Sequence, residues 1–79
     1  MALELDVHGY GVKQAIYAIQ RTIVSNPSCN CLEVIHGFNN GCKVKELLMN
    51  KANIHNKRVL GTRPVPFNEG RTQIILKLE

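Results

Sequence analysis

The stretch LDVHG at residues 5–9 decides the fold of this chain, together with the stretch IHGFNNG at residues 35–41. Each begins with a short apolar run typical of a buried strand, ends in His-Gly, and is followed by a segment with helical spacing. Such alternation favours two parallel strands joined by a helix. The carboxyl ends of parallel strands lie at one edge of a sheet, where open α/β folds place their ligand sites. We therefore expect His8 and His36 to emerge at the same edge.

The rest of the pattern predicts the element order βαβαββ. Strands are expected at residues 3–7, 31–35, 58–65 and 72–78. One helix begins near Val12 and is stopped by Asn26-Pro27-Ser28, since proline cannot continue a helix. A second helix is expected to run to about Asn53, and turns are expected at residues 37–41 and 67–70. A four-stranded mixed sheet with two helices against it makes the fold class α/β, a two-layer sandwich.

Size and composition indicate one small domain spanning residues 1–79. No Trp is present and there are only two Tyr and two Phe, so aliphatic side chains must form the core. No apolar run is long enough to span a bilayer, and no basic-then-apolar leader is visible. We expect a soluble cytoplasmic protein, monomeric by default, without membrane contact. Cys29, Cys31 and Cys42 are odd in number and are expected to be reduced structural thiols.

Charge is unevenly distributed along the chain, whose formal net charge is +4. The first 42 residues carry two basic and three acidic side chains, whereas residues 43–79 carry eight basic and three acidic ones. A basic half of this kind favours a polyanionic partner, nucleic acid before membrane. The alternative is a solvated basic surface without a partner.

The two His-Gly elements suggest a site that handles phosphate. Asp6 and His8 are two residues apart and should leave one face of a strand, so that Asp6 either holds His8 in one tautomer or binds a divalent metal such as Mg²⁺ or Mn²⁺. The turn at residues 37–41 leads into a helix whose first N–H groups bind phosphate readily, and Lys43 and Lys45 lie in its first turn. The alternatives are a structural carboxylate at Asp6 and lysines that merely point to water.

These residues resemble the motifs of the Smr, or small MutS-related, domain family. LDVHG is similar to the family's LDxH motif, and His36-Gly37 with Gly41 is similar to its HGxG-containing turn. The family's final hairpin is matched by three further segments, Thr62-Arg63-Pro64, Glu69-Gly70 and Thr72-Gln73-Ile74-Ile75. The resemblance runs from about Leu3 to Leu78.

The resemblance implies a βαβαββ sandwich, binding of DNA or RNA and, as in several members, endonuclease activity. The family's cleavage residues correspond to Asp6 and His8, and its turn, implicated in binding or cleavage, corresponds to His36 and Gly37. The chain departs from the family at Asn39, which replaces the second glycine of HGxG. Asn tolerates left-handed backbone, although its side chain could obstruct a phosphate.

We therefore predict an Smr-like domain that binds nucleic acid and either cleaves its phosphodiester backbone or acts as a non-catalytic DNA-, RNA- or ribosome-binding module. A protein-interaction domain with purely structural His-Gly turns is the third alternative. In the catalytic version, His8 is the general base or acid, Asp6 orients it or holds a metal, and His36 transfers a second proton or contacts phosphate. The predicted nucleic-acid contacts are Gly37, Asn39, Gly41, Lys43, Arg63 and Arg71, of which Arg71 is otherwise an exposed cation in the last turn.

Overall fold

The computed structural model describes residues 2–37 and 41–78. Its elements follow the predicted order βαβαββ, with a short 3₁₀ helix inserted after the second α-helix. They are β1 (Ala2–Asp6), α1 (Val12–Ser25), β2 (Cys31–Ile35), α2 (Gly41–Leu48), the 3₁₀ helix (Lys51–Ile54), β3 (Val59–Val65) and β4 (Asn68–Leu76). In these residues no helix is long and apolar enough to cross a membrane.

The four strands form one mixed sheet in the order β1-β2-β4-β3. β1 and β2 are parallel, with Asp6 opposite Ile35, and β4 is antiparallel to both of its neighbours. The start of β4 therefore lies at the edge where β1 and β2 end. Two backbone hydrogen bonds continue the pairing there, because the N–H groups of His36 and Gly37 both donate to the carbonyl of Gly70, at 2.9 and 3.0 Å.

Helix α1 forms where the sequence predicts it, because its apolar residues recur at helical spacing. Ala15, Ile19 and Ile23 make one buried stripe. At the start of the helix, the side chain of Gln14 accepts a hydrogen bond from the free N–H of Gly11 at 3.0 Å. At its end, the Asn26 side chain donates to a carbonyl of the last turn, and the next residue is proline.

Both helices share one core with a single face of the sheet, as expected for two layers. Along β2 and β4, buried residues alternate with partly exposed ones, so that each strand turns one side to the helices. The core consists of Val7, Ala15, Ile19, Ile23, Cys29, Leu32, Val34, Val44, Leu48, Ile54, Val59, Ile74 and Leu76. Cys29 and Cys31 are free thiols, and Cys29 belongs to this core.

Two predicted boundaries are wrong. β1 is not a buried strand at residues 3–7, because it has only one neighbour and its residues stay partly or fully exposed; the buried Val7 follows it. Helix α2 ends at Leu48 instead of continuing to Asn53. There the side chain of Asn50 accepts from the N–H of Ala52 at 3.0 Å and starts a separate 3₁₀ turn. The Asn53 side chain in turn donates to the carbonyl of Leu47 at 2.9 Å.

The final hairpin also differs from the prediction. β4 begins at Asn68, which pairs with Val65, so Pro66 and Phe67 alone make the turn expected at residues 67–70. At the other predicted turn, residues 38–40 lie outside the described residues and Gly41 is the first residue of α2. Leu78, the last residue of the strand predicted at residues 72–78, lies beyond the end of β4 and is exposed.

Arg58, which precedes β3, is buried rather than part of a basic surface. Its side chain is 7% exposed and donates to five backbone carbonyls, those of Ile23, Asn26, Pro27, Cys29 and Lys77. The guanidinium thereby holds together the end of α1, the loop that follows it and the end of β4. This residue is a structural clamp and does not contribute charge to a partner.

Candidate functional site

Asp6 and His8 form a side-chain pair at the end of β1. The backbone N–H of His8 donates to Oδ1 of Asp6 at 3.0 Å, and Nδ1 of the His8 ring lies 2.6 Å from the same oxygen. Because β1 ends at Asp6, a turn after the strand brings the two groups together, and not a shared strand face as predicted. The hydrogen bond from the His8 side chain, followed by that from its backbone N–H, lowers the pKa of Asp6 below its usual value.

The His8 ring faces solvent while Asp6 holds it. The side chain of His8 is 72% exposed and that of Asp6 is 53% exposed. Nε2 of His8 has no hydrogen-bond partner within residues 2–37 and 41–78. An imidazole anchored through Nδ1 and open at Nε2 can accept or donate a proton at the open nitrogen.

The second His-Gly element lies directly against the first. Gly9 and Gly37 both have a φ of +79°, so each His-Gly ends its strand with a left-handed turn. A Cβ atom placed on Gly37 would lie 3.6 Å from Cβ of His8. The described residues Asp6, His8 and Gly37, at the end of the parallel strands, are called the carboxyl edge below.

His36 emerges at the same edge, but its ring points into the protein. The residue is 1% exposed. Nε2 lies 2.9 Å from Oγ1 of Thr72, and Nδ1 lies 3.1 Å from the carbonyl oxygen of Gly37. Since a carbonyl only accepts, the neutral ring carries its proton on Nδ1, and Nε2 accepts a hydrogen bond from the Thr72 hydroxyl. With both nitrogens engaged in the interior, the ring has a structural arrangement and does not meet solvent.

Arg71, which the sequence predicts as a nucleic-acid contact or alternatively as an exposed turn cation, lies in a strand. It lies in β4 opposite Ile35, where its guanidinium donates to Glu33 at 2.6 Å and to Glu4 at 2.5 Å. The hydrogen bonds that Arg71 donates to Glu33 and then to Glu4 raise its pKa. Its charge is therefore engaged by two carboxylates across three strands, and is less available to a phosphate than a free cation would be.

Arg63 and Lys45 line a groove between α2 and the β3–β4 hairpin. Arg63 is exposed on β3, and its Nε donates to the side chain of Gln73 at 2.6 Å. The groove has a volume of about 330 Å³ and is lined by Lys45, Met49, Thr62, Arg63, Pro64 and Thr72; we call it the cationic groove. Lys43 lies in the first turn of α2 and is exposed, whereas Lys45, predicted to lie in the same turn, belongs to the last turn because the helix ends at Leu48. Within the described residues, none of these three cations is paired with a carboxylate.

The cationic groove is linked to the carboxyl edge through two buried residues, Thr72 and His36. Thr72 lines the groove, and its hydroxyl contacts the ring of His36. The next residue after His36 is Gly37, which lies against His8. Asn39, predicted to lie in the same turn, is outside the described residues, and Gly41 is the first residue of α2.

The described residues of the carboxyl edge offer a metal ion one carboxylate, that of Asp6, and the ring of His8. Within residues 2–37 and 41–78, no three His, Cys, Asp or Glu side chains come close enough to hold one. Asp6 offers a single carboxylate, one oxygen of which already accepts two hydrogen bonds from His8. Glu4 and Glu33 are held by Arg71.

One feature that sequence reasoning missed is Phe67 in the hairpin turn. Its side chain is fully exposed and its φ is +61°, an unusual backbone conformation for a bulky residue. The sequence does contain a local indication of this exposure. Pro66-Phe67 separates two strand-like segments, and Phe67 does not belong to the alternation of apolar and polar residues in either of them.

The fold was compared with those of known proteins. No protein-family model and no curated protein sequence matches the chain. Among solved structures, the crystal structure of the Smr domain of Thermus thermophilus MutS2 matches with a TM-score of 0.73, covering 94% of this chain and 96% of that chain at 21% sequence identity. The chain has an Smr-like fold. The resemblance read from the residues is thus confirmed at the level of architecture, over nearly the full length of both chains.

In this Smr-like fold, the LDxH-like stretch supplies the Asp6–His8 pair and the following turn. The second His-Gly supplies Gly37 beside it and the buried His36. The sheet thus brings the two motifs together at one edge, while the roles assigned to their residues stay predictions.

Proposed function

We propose that this domain binds nucleic acid across the carboxyl edge and the cationic groove. The observation that carries the proposal is that two cations without a carboxylate partner in the described structure, Lys45 and Arg63, line a groove. The buried Thr72–His36 contact connects this groove to the edge that carries the exposed His8 imidazole. Lys45 and Arg63 would contact phosphates, and Lys43 would do so from the start of α2. The Smr-like fold and the excess of basic residues after position 42 support the same proposal.

Such contacts are made to the backbone and are not specific for sequence. Each phosphate neutralised by a cation releases counterions, so the binding constant should fall as salt rises, with a steeper slope for more contacts. We expect two substitutions, Lys45→Ala and Arg63→Ala, each to weaken binding to all sequences alike. Each should also make the salt dependence of the binding constant shallower, by about the amount that corresponds to one phosphate contact.

The test is a titration of labelled DNA and RNA, single-stranded and duplex, from low to high salt. Lys57→Ala is the matched control. Lys57 is exposed just before β3, and because β3 runs toward the hairpin, it lies at the end of the sheet opposite the carboxyl edge. The Lys57→Ala substitution removes the same charge as Lys45→Ala, but it should leave the salt dependence of the binding constant unchanged. Absence of binding at low salt to every probe would refute the proposal and favour the protein-interaction alternative.

Phosphodiester cleavage is a second candidate function, favoured by the Asp6–His8 geometry. Nδ1 of His8 lies 2.6 Å from Oδ1 of Asp6, which orients the ring. Nε2, open to solvent, would take the proton of the attacking oxygen as general base, or donate one to the leaving oxygen as general acid. The role first given to His36 is not used in this version, because its ring nitrogens are both engaged inside the protein.

A gel assay with DNA and RNA substrates, with and without a divalent metal, separates cleavage from binding alone. In a cleaving domain, His8→Ala should lower the rate by about 10²–10⁴-fold with little change in affinity. Thermal unfolding must show that the variant is still folded. A wild-type protein that binds these substrates but leaves them intact would assign the chain to the non-catalytic binding modules.

A further inference from the structure

We propose that Phe67, at the tip of the β3–β4 hairpin, stacks on an unpaired base, so that the domain prefers single-stranded segments of nucleic acid. The proposal rests on the proposed nucleic-acid binding and names the form of the ligand. Its basis is an exposed aromatic side chain, a strained turn, and the position of that turn beside the carboxyl edge.

The side chain of Phe67 does not pack in the core. It is fully exposed, whereas the core is formed by aliphatic residues and Cys29 from the helices and the sheet. An aromatic ring left entirely in water gains nothing from folding. A structural reason for phenylalanine at this position is therefore absent from the described part of the molecule.

The backbone at Phe67 is also unfavourable for this residue type. Pro66 followed by a residue with φ of +61° is the pattern of a type II turn, which normally has Gly or Asn in the second central position. Unlike Gly and Asn, phenylalanine adopts the left-handed backbone region only at an energetic cost. Local strain in a ligand-binding loop is a recurrent feature of functional sites. Here the strain has the effect of presenting a ring outward.

The tip lies at the end of the sheet where the ligand would be bound. β4 starts at the edge where β2 ends, and Gly70 accepts hydrogen bonds from His36 and Gly37 there. Pro64, three residues before Phe67, lines the cationic groove. A strand of nucleic acid whose phosphates follow Lys45 and Arg63 would thus pass the hairpin tip with its bases free to meet Phe67.

Stacking on an aromatic side chain requires an unpaired base and tolerates any sequence. It would add to affinity for single strands while contributing little to duplex binding, in which the bases are already stacked on one another. Cation contacts alone would not make this distinction, because both forms carry phosphates.

The chain has two Tyr but no Trp, so Phe67→Trp introduces a single tryptophan at the tip, which can be excited at wavelengths that tyrosine does not absorb. The fluorescence of this Trp should be quenched on titration with a single-stranded oligonucleotide. The quenching curve should give the same dissociation constant as the fluorescence anisotropy of a labelled strand. Leu78→Trp is the matched control. Leu78 is also exposed, but it follows the far end of β4, a strand of nine residues or about 26 Å, and its Trp should not be quenched.

Phe67→Asn provides the test of affinity, because Asn accepts the left-handed backbone and the variant should unfold at the same or a higher temperature than the wild type. We expect its affinity for a single strand to fall about tenfold and its affinity for a duplex to stay within about twofold. Equal single-strand affinity, or an equal loss for single strand and duplex, would overturn the stacking role while leaving nucleic-acid binding intact. A wild type that binds neither form would overturn both proposals.

Discussion

Nε2 of His36 lies 2.9 Å from Oγ1 of Thr72, in the interior of the protein and across 36 positions of the chain. The two residues are 1% and 4% exposed. They connect β4 to the turn that follows β2, behind the surface on which His8 and Gly37 meet. A histidine that sequence reasoning assigns to chemistry is thereby tied to the fold.

Thr72→Val should destabilise the protein because it keeps the shape of the side chain and removes the hydroxyl donor. Nε2 of His36 would then be buried without a partner, at a cost of about 1–3 kcal/mol in the free energy of unfolding. Chemical denaturation measures this difference. Thr22→Val is the control, since the Thr22 hydroxyl donates only to Ala18 in the preceding turn of α1. Equal stability of the Thr72 variant and the wild type would show that the pair is not needed for the fold.

Arg58→Met should be among the most destabilising single substitutions in the chain. Five carbonyls would lose the Arg58 donor together, and only those of Ile23 and Asn26 would keep a backbone donor among the hydrogen bonds of the described residues. We therefore expect a loss of at least about 3 kcal/mol. Arg58→Lys should recover only part of the lost stability, because an ammonium group has three donors and a guanidinium has five. Lys57→Ala, at the neighbouring exposed position, should change stability by less than about 0.5 kcal/mol. A small effect of Arg58→Met would mean that water replaces the clamp.

The Asp6 carboxyl should titrate below its usual range, because the ionised form accepts two hydrogen bonds from His8. His8→Ala should move the pKa of Asp6 upward and leave a residual effect of the backbone N–H. Carboxyl carbon shifts in an NMR pH titration measure both values. An Asp6 that titrates identically in the two proteins would show that the side-chain pair does not form in solution.

The same shift predicts a direction for stability. A depressed folded-state pKa means that the Asp6 contribution is present above the unfolded value of about 4 and is lost as pH falls through the folded value. Asp6→Asn should therefore be less stable than the wild type near neutral pH, with the difference vanishing in acid. A difference that persists unchanged at low pH would contradict an ionised Asp6.

Gly37→Ala and Gly9→Ala form a matched pair, because both glycines have a φ of +79°. Each substitution should cost about 1–2 kcal/mol of stability through backbone strain. A methyl group on Gly37 would contact His8, whereas one on Gly9 would meet no atom within 4 Å. We therefore expect Gly37→Ala to reduce nucleic-acid binding, or cleavage where it occurs, more than Gly9→Ala does at equal loss of stability. Equal effects of the two would place Gly37 outside the site.

The amino-acid sequence by itself determined the local elements of this protein. The apolar spacing of Ala15, Ile19 and Ile23 predicted α1, and Pro27 predicted where it ends. The repeated His-Gly predicted two parallel strands with their turns at one edge. These features could be read because periodicity, capping and positive φ are properties of residues close in the chain.

Only the tertiary structure decided how the individual side chains are used. Arg58 and Arg71 are both cations of the basic half, yet one is buried among backbone carbonyls and the other is held by Glu4 and Glu33. His8 and His36 follow equivalent strands, yet one ring meets solvent and the other meets Thr72. Each outcome depends on a partner that chain folding brings from a distant position, and the identity of that partner leaves no trace in the local pattern.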